Sequence, residues 1–355
     1  MQTAPGPTAV DTVARLLRRA HELAASDLHL DPTEEGLVAT VRRDGLLEPL
    51  ETLPIELHPR IVGRLKALAD LLAYRTDVPQ EGRIPADRTD LGTEVRVASY
   101  PTVHGERVAL RLEAAAGAPK SLADLGLSDA VRAALERAFD QPEGVVLLTG
   151  PSGSGKTTTL YAALGHLLSD GRRRAIVTVE DPVERRVAGV AQTQVDAAAG
   201  LGFPRALRSL LRQDPDVILV GEIRDRETAA VALEAGLTGH LVASTIHAGR
   251  AHLVFSRLLD LGVEPFVITT AVRGVLAQRL LRRRTADGRL EGRVLVAEWL
   301  PMSPPLRRAI LARGDGETLA NAARESGAVP IDEAAAELVR HGVTTTEEVR
   351  RVLGD

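Results

Sequence analysis

Residues 145–157 read Val145-Val146-Leu147-Leu148-Thr149-Gly150-Pro151-Ser152-Gly153-Ser154-Gly155-Lys156-Thr157, an apolar run that opens into a glycine-spaced loop. The run predicts a buried strand. The loop predicts a cradle of backbone amides around a polyanion, because glycine at 150, 153 and 155 lets the main chain approach where a side chain would block it. Lys156 is then placed to reach the β- and γ-phosphates of a nucleoside triphosphate and Thr157 to put its hydroxyl on Mg2+. The helix that starts here aims its positive end at the same anion. The expected nucleotide-binding set is Gly150, Pro151, Ser152, Gly153, Ser154, Gly155, Lys156, Thr157 and Thr158.

Outward from this loop, strand candidates at 145–149, 175–180, 216–221 and 240–245 alternate with helical stretches at 127–139, 157–169, 205–213 and 225–236. That alternation predicts an α/β fold with a mainly parallel sheet and ligands at the carboxyl ends of the strands. Two acidic clusters fall at such ends. Val217-Ile218-Leu219-Val220 runs into Gly221-Glu222-Ile223-Arg224-Asp225, and Ala175 to Val179 runs into Glu180-Asp181-Pro182-Val183-Glu184. Phosphoanhydride hydrolysis needs one carboxylate to orient and deprotonate water and another to serve the metal, so paired acids on neighbouring strand ends suit it. Spacing leaves open which acid does which. Ser244-Thr245-Ile246-His247 ends a further strand, where His247 is placed to hydrogen-bond a γ-phosphate; His240 at the start of that strand is as well explained by a structural role.

Before the core, Asp11 to Ala25 and Ile61 to Ala73 read as helices. Ser26 to Leu30, Leu37 to Arg42, Glu94 to Ala98 and Arg107 to Leu112 read as strands, with an Asp44-Gly45 turn. The expected organisation is a flexible start at 1–9, an α+β domain at 10–113, a linker at 114–121 and the α/β domain at 122–355, helical from about 250. Arg96 and Arg111 lie on two of the strands; transition-state charge needs a cationic clamp, and an arginine from another domain or subunit would couple hydrolysis to movement.

Composition narrows the partners. At 355 residues and 44% hydrophobic content the chain has material for two cores. A net charge of −4 with 4 Phe, 3 Tyr and 1 Trp gives no basic, stacking surface for nucleic acid. Without cysteine there is no disulfide or thiolate metal site. No run of 18 apolar residues and no leader-like start occur, so the expected place is the cytoplasm, with membrane association only through partners.

Taken together these stretches resemble the secretion ATPase family, the hexameric motors of type II secretion and type IV pilus assembly. The resemblance covers nearly the whole chain. Ala25-Ser26-Asp27-Leu28-His29-Leu30-Asp31-Pro32, Arg43-Asp44-Gly45, Pro79-Gln80-Glu81-Gly82-Arg83-Ile84 and the segment 101–107 are similar to that family's second N-terminal domain. The Walker A loop (150–157), an Asp box (179–184), a Walker B element (211–225) and a His box (238–247) follow in the family's order. The resemblance implies a Mg2+-dependent ATPase on a RecA-like core with a PAS-like N-terminal domain, assembled as a homo-hexamer. It acts at the cytoplasmic face of the inner membrane on a platform protein. Carried over by position, Glu180 activates water, Glu222 with Thr157 serves the Mg2+, directly or through water, His247 senses phosphate, and Arg96 with Arg111 forms the clamp.

Two departures stand out. Many assembly-type members carry a four-cysteine zinc element after a segment like Ala277-Gln278-Arg279-Leu280; here Leu281-Arg282-Arg283-Arg284-Thr285 follows, so no zinc is expected. The further N-terminal domain by which longer members dock on the platform has no match, which leaves the docking mode open. The tail from Gly342 to Val352 is similar to assembly-type members, and no Ala-Ile-Arg-Asn-Leu-Ile-Arg stretch of the retraction motors is present. Pilus retraction, nucleic-acid translocation on the same core and non-hydrolysing regulation are the competing readings.

Overall fold

A computed structural model of the chain describes residues 8–112 and 121–354 and divides it into two compact units, residues 1–117 and 118–355. In the N-terminal unit, helix α1 (Ala9–Glu22) begins at a capping box. The Asp11 N–H donates to the Thr8 hydroxyl and the Thr8 N–H to the Asp11 carboxylate, satisfying two helix-end donors at once. The flexible start expected through Ala9 is therefore corrected: Thr8 and Ala9 already belong to the capped helix, and residues 1–7 lie outside the described residues.

Strands β1 (Asp27–Pro32), β2 (Leu37–Arg43) and β3 (Leu46–Leu53), helix α2 (His58–Leu68), and strands β4 (Gln80–Ile84), β5 (Val95–Thr102) and β6 (Gly105–Leu112) complete this unit. The sheet is antiparallel throughout, in the order β3-β2-β1-β6-β5-β4. Leu28 and Leu30 on β1 and Val108, Leu110 and Leu112 on β6 join Val13, Leu16 and Leu17 of α1 in one core. Period-two alternation then turns the polar residues of the same strands to the opposite face. Asp27 stands opposite Arg111, Arg111 opposite Arg96, and Arg96 opposite Arg83.

Of the linker expected at 114–121, residues 114–120 lie outside the described residues, while Ser121 caps a short turn over Leu122–Leu125. The C-terminal unit continues with α3 (Asp129–Phe139), β7 (Gly144–Thr149), α4 (Lys156–Ser169), β8 (Ile176–Glu180), β9 (Val190–Gln194), α5 (Phe203–Leu210), β10 (Val217–Ile223), α6 (Arg226–Leu237) and β11 (Leu241–Ile246). Then come α7 (Leu253–Asp260), α8 (Pro265–Ala271), β12 (Val272–Arg284), β13 (Leu290–Pro301), α9 (Pro304–Leu311), α10 (Gly316–Glu325), α11 (Ile331–Arg340) and α12 (Thr346–Leu353).

The sheet order is β13-β12-β7-β11-β10-β8-β9, parallel except for β13. Val145 and Leu147 of β7 enter one core and Val146 and Leu148 the other, on opposite faces of the sheet. Helix layers on both faces are why β7 is buried at every position rather than alternating. The helical reading from about 250 is corrected at 272–301. Those residues form β12 and β13, the two longest strands among the described residues, because β12 pairs in parallel with β7 and in turn carries β13.

Candidate active site

The loop after β7 has the conformation its glycines permit. Gly150, Gly153 and Gly155 take φ values of 151°, 76° and 90°, in the region side chains disfavour. A Cβ at Gly150 would also stand 2.5 Å from the Gln278 carbonyl oxygen. Gly155 ends the loop as the N-cap of the 14-residue helix α4, whose free N–H groups and dipole face the loop. Lys156 Nζ donates to the carbonyls of Gly150 at 2.8 Å and Pro151 at 3.0 Å, which holds the ammonium over the loop. Burial lowers the Lys156 pKa, the Glu222 carboxylate opposes that shift, and the Arg279 cation adds to it. Thr157 and Thr158 are exposed in the first turn of α4; Ser154 is buried.

The neighbouring strands deliver the predicted side chains to the same edge. Ile246 is in register with Thr149, so His247 leaves β11 level with the start of the loop. Glu222 lies in an irregular stretch of β10, between the residues paired with Ser244 and Ile246 of β11. Its side chain is ion-paired to Arg224, with His247 Nε2 3.7 Å away. Asp225 is the N-cap of α6, so the capping role available to an acid after a strand belongs to Asp225 and leaves Glu222 for the site.

Glu180 ends β8, beyond β10, and is held differently. It is only 4% exposed. Tyr161 donates to one carboxylate oxygen at 2.5 Å, and Thr178 (2.6 Å) and Gln192 (3.1 Å) donate to the other. Burial pushes the Tyr161 phenol up, and its hydrogen bond to Glu180 and that group's charge add to the effect, so Tyr161 stays a donor. Asp181 approaches Arg224 at 4.0 Å, which joins the two acidic clusters through one guanidinium.

Lys156, Glu222 and His247 are thus brought together, with Glu180 two strand positions beyond β11. His240 is outside the group and hydrogen-bonds the Ala235 carbonyl at 3.1 Å. Arg96 and Arg111 are cross-strand neighbours in the N-terminal unit. With Arg83, Asp27 and Glu81 they line a cleft of about 450 Å³. Arg111 pairs with Asp27 at 3.3 Å. Sequence reasoning missed Arg83, Arg224 and Tyr161. Arg83 stands beside Arg96 through the pairing of β4 with β5, which sequence alternation does not give; Tyr161, set in the otherwise apolar stretch 160–164 of α4, carries no local signal for its partner.

Hard oxygen donors suit Mg2+, which binds through one or two protein oxygens while phosphates and water supply the rest. The Thr157 hydroxyl, exposed in the first turn of α4, and the Glu222 carboxylate carry oxygen donors of that kind. The described residues contain no group of three or more His, Asp or Glu that could hold a metal by themselves, and a nucleotide-borne Mg2+ needs none.

The model of the type II/IV secretion system protein family matches residues 6–351. The chain belongs to that family. It is 40% identical to the type II secretion system protein HxcR of Pseudomonas aeruginosa, across 100% of this chain and 79% of that protein. Against five relatives named type II secretion system protein E, the chain spans between 51% and 66% of the relative's length. Among solved structures, the Legionella pneumophila ATPase DotB is similar at 25% identity and a TM-score of 0.75, over 99% of this chain and 98% of that one. The pilus retraction motor PilT with bound ADP is similar at 26% identity and a TM-score of 0.69, over 96% and 97%. The family member described here has the RecA-like α/β core of these ATPases.

Proposed function

We propose that this chain hydrolyses ATP with Mg2+ as a homo-hexameric motor of a type II secretion system or a related pilus-assembly machine. The observation that carries the reading is the convergence of Lys156, Glu222 and His247 at the ends of β7, β10 and β11 beside a glycine-cradled helix N-terminus. Membership of the secretion family supplies the machine.

In this reading the loop amides and Lys156 bind the phosphates, and Thr157 and Glu222 hold Mg2+. The bound ion would neutralise charge that develops on the phosphate oxygens. Glu180 takes a proton from the attacking water, a role that requires its carboxylate to exchange one of its three present donors. Tyr161, Thr178 and Gln192 fix its orientation until then. His247, 3.7 Å from Glu222, reports on the terminal phosphate. Arg96 and Arg111, with Arg83 beside them, offer a cationic cleft to nucleotide phosphates, the part of a clamp that a PAS-like domain at 10–113 would bring to the ATPase domain at 122–355.

No helix among the described residues is long and apolar enough to cross a membrane, which fits attachment at the cytoplasmic face through an inner-membrane platform protein. Identity of 36–46% to type II secretion proteins, against 26% to a retraction motor, favours secretion or assembly over retraction. The test is phosphate release by purified protein with Mg2+ and ATP, alongside Glu180→Gln and Glu222→Gln. The reading predicts that both variants lose turnover by at least about a hundredfold, the scale of removing a group that acts on the transition state. Turnover unchanged in both would refute it.

A further inference from the structure

Ala277-Gln278-Arg279-Leu280 of β12 lies directly against the phosphate loop. Gln278 of β12 is fully buried, and its Nε2 donates to the Ser154 carbonyl at 2.8 Å. Its main-chain oxygen faces Gly150 so closely that a Cβ there would stand 2.5 Å away. Arg279 donates from Nη1 to that same Gln278 oxygen at 2.9 Å and from Nη2 to the Gly249 carbonyl at 2.6 Å. Gly249 is two residues past His247. On the other side, Thr149 donates to the Ala248 carbonyl and accepts from the Ala248 N–H, both at 3.0 Å.

We infer that Gln278 and Arg279 are positioning residues for ATP hydrolysis: Gln278 props the phosphate loop from behind, and Arg279 ties the strand that carries this prop to the segment carrying His247. The two phosphate-facing loops then behave as one frame, with Thr149 as the inner bolt and Arg279 as the outer one. A side chain that holds a loop carbonyl in place sets where the loop amides point, and a small displacement of such groups is felt strongly in turnover. Gln278 therefore acts on nucleotide binding, through residues 150–155, whereas Arg279 acts on the hydrolytic step, through the loop after β11.

This inference rests on the ATPase reading, and the experiment separates the two. The full chain is prepared unsubstituted and as Gln278→Met, Arg279→Met and Arg279→Lys. Unfolding midpoints, the affinity for fluorescently labelled ADP, and kcat and KM for ATP are measured for each. Absence of turnover in the unsubstituted protein would count against the ATPase reading, while ADP affinity would still test the Gln278 prop. With turnover present, Gln278→Met is expected to weaken ADP binding about tenfold, the loss of one good hydrogen bond. Arg279→Met is expected to lower kcat about tenfold with ADP affinity within about twofold, and Arg279→Lys, which keeps a donor for the Gly249 carbonyl, to recover most of it. Unfolding midpoints matching the unsubstituted protein show that these losses are local. ADP affinity unchanged in a folded Gln278→Met, unchanged kcat in Arg279→Met, or a lysine variant no better than methionine overturns the assignment. Should Gln278→Met not fold, the Arg279 pair decides.

Discussion

Lys156 and Glu180 illustrate two ways in which a charged group is kept inside a protein. The Lys156 ammonium is satisfied by two loop carbonyls and remains near the Glu222 carboxylate, so its charge is offset locally. Lys156→Ala removes the only side-chain cation the loop itself carries, and ATP turnover is expected to fall by at least about a hundredfold, measured as phosphate release. Glu180 is held by three donors, of which Tyr161 is the one on its own oxygen. Tyr161→Phe deletes that hydroxyl while keeping the ring under Arg185, whose guanidinium lies 5.3 Å from the ring centre. A hydrogen bond to a charged group contributes about 1.5–3 kcal/mol, so the variant is expected to lose stability on that scale and, with Glu180 less firmly held, to change kcat by about tenfold or more. A turnover equal to the unsubstituted protein would show that the Tyr161 bond has no part in placing Glu180.

Among the elements, the phosphate loop is the most constrained and was the most legible. Apolar β7 followed by three spaced glycines needs no tertiary information to be recognised, since the backbone demands are local. Gly150→Ala places a methyl group 2.5 Å from the Gln278 oxygen and requires a φ that alanine avoids. Denaturation is expected to show a loss of about 2 kcal/mol or more. The strands β12 and β13 were not legible. Val272-Arg273-Gly274-Val275-Leu276-Ala277-Gln278-Arg279-Leu280-Leu281 is rich in residues that favour helices, and its extended form comes from pairing with β7, a contact 127 residues away in sequence for Val272 and Val145. Helix α12 docks on β12 through Glu348, which accepts from Arg282 and Arg351 and is almost fully buried. Burial opposes its charged form, yet the hydrogen bonds from Arg351 and Arg282 prevail and hold its pKa down from 4.5 to about 2. A carboxyl with a depressed folded pKa contributes stability above its unfolded pKa and loses it as pH falls through the folded one. Glu348→Gln is therefore expected to lower stability by about 2 kcal/mol at neutral pH, with the difference from the unsubstituted protein shrinking between pH 4.5 and about 2. Denaturant midpoints across that range decide it, and a difference that does not vary with pH would contradict the assignment.

The whole molecule combines a core whose chemistry is written in short motifs with an N-terminal unit whose contribution lies in strand register. Arg96 and Arg111 were visible as residues, but their adjacency, and the inclusion of Arg83, depend on how β4, β5 and β6 pair. The same holds for Glu222 and Glu180: each strand end was visible, while the different surroundings of the two acids arise from the ion pair Glu222 makes with Arg224 two residues on and from Tyr161 and Gln192 on other segments. A ring motor that completes its sites across subunits should show turnover per chain that rises with protein concentration. The most direct measurement is phosphate release with Mg2+ and ATP over a concentration series, sized in parallel by light scattering, for the unsubstituted protein and Lys156→Ala. The account predicts turnover that rises with a hexamer-sized species and is lost by at least about a hundredfold in Lys156→Ala; a monomer whose turnover is independent of concentration and unaffected by Lys156→Ala would contradict it.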